Sequence, residues 1–273
     1  MFRYWKVLML LPVIALLLAS AFLISNIITK GSFMERSTEL KGGKLITFQV
    51  KEIPDLSGMK YDYHITRGIT NNIIVEIPYE ANESLVIEEL NAYLKPVGDP
   101  TITTVGPVLG DIFWQQAQLS ILIAFAAMAA VVFILFRSVV PSSIVILAAT
   151  TDIIITMAVI DVIGVKLSLA VLAALLMIIG YSVDTDILLT SNVLKSHEEN
   201  VEKATKRAMK TGFVMSGAAL IAFTMLYLLS GSFVLQQMSI VLIVGLIIDI
   251  PATWLTNAGL IRYWMERKNA KKL

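Results

Sequence analysis

Six apolar stretches constrain this chain more than any other feature, because about twenty apolar residues are what one α-helix needs to cross a ~30 Å hydrocarbon core. They fall at residues 7–28, 117–136, 139–160, 167–189, 211–229 and 234–255. Between the first and second lies a polar interval, residues 30–113, which holds 20 of the 43 charged residues, while residues 7–29 hold none. Charged residues make up 16% of the chain and mean hydropathy is +0.76, against about 25% charged residues in soluble domains. A soluble globular protein and a disordered chain are both excluded. The pattern predicts a polytopic α-helical membrane protein with six transmembrane helices and one small external α+β domain between the first two helices.

The chain divides accordingly. Residues 1–29 are an N-terminal segment with transmembrane helix 1, and 30–113 are the external domain. Residues 114–257 are transmembrane helices 2–6, and 258–273 are a basic tail. Ala19-Ser20-Ala21 resembles a signal-peptide cleavage site, but the apolar run continues beyond it and exceeds a usual signal core. An uncleaved anchor is expected. In the external domain, residues 43–50, 72–79 and 101–105 have strand composition, and 61–66 form a weaker strand. Asn82 is placed to cap a helix that presents Leu85, Ile87, Leu90 and Leu94 and closes at Pro96 and Gly98. A ferredoxin-like arrangement is compatible with this order.

Lys and Arg set the orientation. If the N-terminus is cytoplasmic, the cytoplasmic pieces carry thirteen basic residues and the short outer loops carry one, Lys166. Both termini are therefore expected inside and residues 30–113 outside. Residues 198–210 alternate in sign and read as an interfacial amphipathic helix.

Four aspartates interrupt the apolar stretches: Asp152, Asp184, Asp186 and Asp249. An ionised carboxylate is costly at membrane depth, so each is a candidate for proton coupling or for an interhelical contact. Thr150 and Thr151 stand beside Asp152 and offer it hydroxyls. Asp249 precedes Pro251 near the end of its segment, where a polar group can reach water. Asp184 and Asp186 are two residues apart, which on a helix is about 200° of rotation, so they face nearly opposite sides and form no close acid–base pair. Tyr181 shares a face with Asp184, and Ser182 shares one with Asp186. Gly180 permits close helix approach.

Other chemistry is thin. The chain has no Cys, which removes disulfides and thiolate sites. His64 and His197 lie apart in polar segments and suggest no metal site. No Walker A, G-x-S-x-G or H-E-x-x-H pattern is present, so neither an enzyme nor a cofactor is expected. A net charge of +1 gives no sign of nucleic-acid binding.

Five local sequences carry a family resemblance. They are Gly42-Gly43 before a strand, Gly106-Pro107-Val108-Leu109-Gly110 before the second membrane segment, and Phe136-Arg137 at its end. Gly180-Tyr181-Ser182-Val183-Asp184 in the fourth segment and Lys210-Thr211 opening the fifth complete the set. Together they resemble the SecF side of the SecD/SecF family of protein-export factors, within the resistance-nodulation-division superfamily. The run Asp184-Thr185-Asp186 looks like the archaeal form. Bacterial members have Asn-Asp-Thr there, a His-Asp pair at Thr151-Asp152 and Arg at Lys210.

The resemblance implies an accessory subunit of the Sec translocon that pairs with SecD in the cytoplasmic membrane. Its implied partners are the translocon channel, exported polypeptides and the lipid bilayer. It implies coupling to proton flow through Asp184, Asp186 or Asp152, with Asp249, Tyr181, Ser182, Thr185, Arg137 and Lys210 as accessory positions. A transporter subunit for small molecules or lipids in the same superfamily is the alternative, and the small external domain weighs against it. A purely structural membrane scaffold is a third class.

Overall fold

The computed structural model describes residues 8–51, 64–67, 72–195 and 201–270. Arg3, Lys6, the first half of the weaker strand, His197 and the final lysines Lys271 and Lys272 lie outside the described residues.

The chain enters through α1 (Leu10–Lys30). The polar interval then builds α2 (Thr38–Lys41), β1 (Gly43–Gln49), β2 (His64–Arg67), β3 (Asn72–Ile77), α3 (Glu83–Leu94) and β4 (Thr101–Val105). The described strands form one sheet in the order β2-β3-β1-β4, antiparallel at every pairing. That is the strand order and sense of a ferredoxin-like unit. Here α3 makes the β3-to-β4 crossover.

Alternation along the strands gives the sheet two different faces. Ile46, Phe48, Ile73, Val75 and Ile77 point to one side and are buried under Val86, Leu90 and Leu94 of α3. Full burial of side chains this size contributes roughly 1.5–3 kcal/mol each. The α3 face runs through Val86, not Leu85, which is 63% exposed. Positions 86, 90 and 94 keep strict fourfold spacing, so one stripe meets the sheet. Asn82 caps the helix as expected, its Oδ1 accepting from the Ser84 N–H at 3.1 Å. The opposite sheet face carries Leu45, Thr47, Ile74 and Glu76 and looks toward the membrane bundle.

The bundle consists of α4 (Pro107–Phe136), α5 (Val139–Val162), α6 (Leu169–Lys195), α7 (Val201–Leu229) and α8 (Phe233–Pro251). The last continues through a π-helical turn, Ala252–Asn257, into α9 (Ala258–Ala270). Among the described residues, six helical segments are long and apolar enough to cross a membrane. Of residues 198–210, read as an interfacial amphipathic helix, the described part, 201–210, is helical and runs on without a break into the rest of α7. Helices α5, α6 and α8 pack against one another at the centre, while α1, α4 and α7 lie around them. Thr256 Oγ1 donates to the Met9 carbonyl at 3.1 Å, which sets the start of α1 beside the end of the last span.

Glycines decide two sets of contacts. Gly42 has φ +82°, in the left-handed region that L side chains avoid. A Cβ on Gly42 would meet Pro107, and a Cβ on Gly110 would meet the Gly42 backbone. The two glycine motifs singled out in the sequence are thus halves of one backbone-to-backbone contact joining the small sheet domain to α4. Within the bundle, lipid gives no hydrophobic drive for helix association, so close approach through small residues matters more. Gly245 of α8 lies against Ile178 of α6, and Gly212 of α7 lies against Trp254 of the π-helical turn.

Gly110→Ala should therefore lower stability by about 1–3 kcal/mol, the usual cost of overpacking. Gly217→Ala, at a helical glycine with open space around it, should leave stability unchanged. Thermal melts of both variants in detergent check this, and equal melting temperatures would refute the contact.

Candidate functional site

Three of the four membrane-depth aspartates meet in the centre of the bundle. Asp152 comes from α5, Asp186 from α6 and Asp249 from α8, and all three are buried. The close approach at Gly245, one turn before Asp249, brings α8 against α6. In so dry a place each oxygen needs an internal partner.

The donors come from three hydroxyls and one amide. Ser182 Oγ donates to Asp152 Oδ2 at 2.5 Å. Thr185 Oγ1 lies 3.2 Å from Asp249 Oδ2 and 2.8 Å from the Ser182 carbonyl. Thr253 Oγ1 lies 3.0 Å from Asp186 Oδ1 and 3.1 Å from Asp249 Oδ1. Asn257 Nδ2 donates to the same Asp186 oxygen. Thr156 and Thr190 are fully buried polar side chains further along α5 and α6.

A hydroxyl has one hydrogen to give. Thr253 therefore serves Asp186 or Asp249, and Thr185 serves Asp249 or its own helix, but neither serves both at once. Three carboxyls thus compete for fewer hydrogens than they have oxygens. Among the described residues no Lys or Arg forms an ion pair with any of the three. No group of three or more His, Asp or Glu side chains there is arranged to hold a metal ion.

The chain is locally built for this. Pro251 has no N–H and cannot continue the α-helical ladder. The six residues after it wind as a π-helix, a form concentrated at functional sites. Asp249, Thr253 and Asn257 recur at intervals of four, so one wall of the last span carries an acid, a hydroxyl and an amide.

Several sequence expectations change. Thr150 and Thr151 donate to the carbonyls of Ile146 and Leu147, both at 2.8 Å, so Asp152 relies on Ser182 from another helix. Ser182 in turn serves Asp152, not its helix mate Asp186. Asp249 is 1% exposed and does not reach water. Asp184 stands apart from the cluster on the exposed side of α6, as its 200° offset from Asp186 requires. Tyr181 shares that side, 38% exposed, and meets Phe223 of α7 edge-on at 5.7 Å. Arg137 caps the end of α4 with φ +48°, and Lys210 is exposed on α7; neither joins the cluster. Thr253 and Asn257 were not anticipated. Their signal was the fourfold spacing from Asp249 across a proline.

The family model described as "Protein export membrane protein SecD/SecF, C-terminal" matches residues 86–267, which include every residue of the cluster. The chain belongs to the SecD/SecF family. Among similar relatives, the protein-export membrane protein SecF of Pyrococcus furiosus is 34% identical over 98% of this chain and 93% of its own. That of Methanocaldococcus jannaschii is also 34% identical, with both chains fully covered. The crystal structure of SecDF, a translocon-associated membrane protein from Thermus thermophilus, superposes with TM-score 0.79 at 21% identity. The match takes in 97% of this chain and 38% of that longer one, and it shows the shared fold. Family and fold together make this a multi-pass cell membrane protein of the protein-export type.

Thr253→Val removes the hydroxyl shared by two buried carboxyls and should cost about 1–3 kcal/mol, the penalty for an unsatisfied buried polar group. Thr253→Ser keeps the hydroxyl and should lose less. Thermal unfolding of the two variants side by side decides it.

Proposed function

We propose that the chain is a SecF-type accessory subunit of the Sec translocon. It pairs with SecD, engages the translocon channel and promotes export of polypeptides across the cytoplasmic membrane. The observation that carries the reading is the cluster itself: three buried carboxyls from three central helices, each held by a hydroxyl, with Thr253 set between Asp186 and Asp249. A carboxylate without a counter-cation is cheaper there in its protonated form. Such a group takes up a proton, and a neighbour within hydrogen-bond reach receives it. Asp152, Asp186 and Asp249 are therefore proposed as the proton-carrying groups, with Ser182, Thr185, Thr253 and Asn257 holding them. Each transfer changes which carboxyl Thr253 must serve, and whether Thr185 serves Asp249 or its own helix, so protonation state and helix packing are linked.

The termini are proposed to be cytoplasmic, with residues 30–113 outside, from the excess of Lys and Arg at that end.

Asp184 takes a different role in this reading. It lies on an exposed stripe of α6 with Ala173, Met177, Gly180 and Tyr181. A carboxylate facing lipid is unfavourable, and small residues beside it suit close helix packing. The proposed occupant of this face is the membrane bundle of SecD. The superposition on 38% of the single longer SecDF chain leaves room for such a second half.

Two substitutions separate the roles. Asp186→Asn should bring export in SecD-containing vesicles down to the rate seen with the proton gradient collapsed, with SecD still co-purifying. Full gradient-dependent export in this variant would refute the coupling. Asp184→Arg should instead reduce the amount of SecD recovered with the chain, and unchanged recovery would remove α6 from the interface.

A further inference from the structure

Lys166 is the one basic residue in the short outer loops, against the charge bias of the rest of the chain. The structure explains the exception. Lys166 is 7% exposed. Its Nζ lies 3.0 Å from Glu35 Oε1 and 3.1 Å from Glu76 Oε2. Glu76 belongs to β3, on the sheet face toward the membrane, and also accepts from Thr38 Oγ1 at 3.0 Å. The backbone is tied at the same place. Arg36 and Leu167 form a parallel β-bridge, through Ser37 N to Leu167 O and Leu167 N to Glu35 O, both 2.8 Å. Glu39 Oε2 accepts from the Leu169 N–H at 2.9 Å, at the head of α6.

The loop that makes these contacts, residues 163–168, joins α5 to α6. Those helices carry Asp152, Ser182, Thr185 and Asp186. The other ties of the external domain differ. It leaves through α1 and α4, which carry no residue of the cluster. Toward the α7–α8 turn a cavity of about 300 Å³ opens beside the sheet, and Asn72 Nδ2 reaches Gly231 O across 3.5 Å.

We infer that Lys166 is a positioning residue that makes the α5–α6 hairpin and the external domain move as one body. A shift of the hairpin at the carboxyl cluster is then delivered to the sheet through the Glu35–Lys166–Glu76 contact. The inference rests on the proposed coupling of export to the cluster and adds the route by which it reaches the outside.

The test uses the full chain with SecD in vesicles, reading gradient-driven export of a reporter polypeptide. Lys166→Met should lower export by roughly fivefold or more, the scale of ordinary coupling energies, while SecD recovery stays normal. Lys166→Arg should retain it. A second variant guards against simple misfolding. In the Cys-free chain, Arg36→Cys with Leu167→Cys places a disulfide across the bridge, where strands lie about 4.8 Å apart, within disulfide reach. Added to Lys166→Met, this bond should restore export when oxidised and lose it again on reduction in the same protein. Wild-type export in Lys166→Met, or no recovery in the oxidised form, overturns the inference. If Asp186→Asn fails while Lys166→Met works fully, the route is wrong and the coupling stands. If Asp186→Asn keeps full gradient-dependent export, the coupling itself has failed.

Discussion

Three carboxyl groups in the interior of a helical bundle must find their hydrogen bonds among the helices themselves, and the architecture follows from that need. All three are buried, and no described lysine or arginine forms an ion pair with them. The helices bearing Asp152, Asp186 and Asp249 are also the three that pack at the centre. Gly245 brings two of them close. The proline-broken last span supplies the remaining donors, because a helix that loses its ladder at Pro251 turns Thr253 and Asn257 onto the same acids. Closeness of helices and the hydrogen bonds the acids do make are one condition here.

Much of the fold was legible in the sequence because hydrocarbon tolerates so few solutions. Six apolar runs became six membrane-length helices, and the polar interval became a sheet with the strands where composition placed them. The opposed faces of Asp184 and Asp186 followed from helical rotation alone. The misses have a common cause. Which hydroxyl serves which acid depends on how helices are rotated against each other, and no local pattern contains that angle. Asp152 thus looked satisfied by its neighbours Thr150 and Thr151, whose hydroxyls turn back to their own backbone. On α3, Leu85 and Val86 are equally apolar, and only the sheet opposite decides which one is covered. The part played by Thr253 and Asn257 depended on how the chain rewinds after a proline, which is settled by packing against α6 and α7.

The sheet domain and the bundle are held together unevenly. Lys166 and the short β-bridge grip the α5–α6 loop, and the glycine contact fixes the entrance to α4, while a cavity separates the sheet from the α7–α8 turn. A small sheet supported on one side of its membrane face can tilt about that side without losing its own core, which is sealed separately by α3.

The meeting of Gly42 and Gly110 has a consequence for how such a chain can drift. Two backbones in contact leave no space for a side chain from either partner, so neither position can vary while the other keeps the corner closed. Sixty-eight positions apart, the two glycines behave as a single letter of the sequence. A descendant that lost one would have to rebuild the junction between its domain and its membrane helix, and no change at the other could compensate.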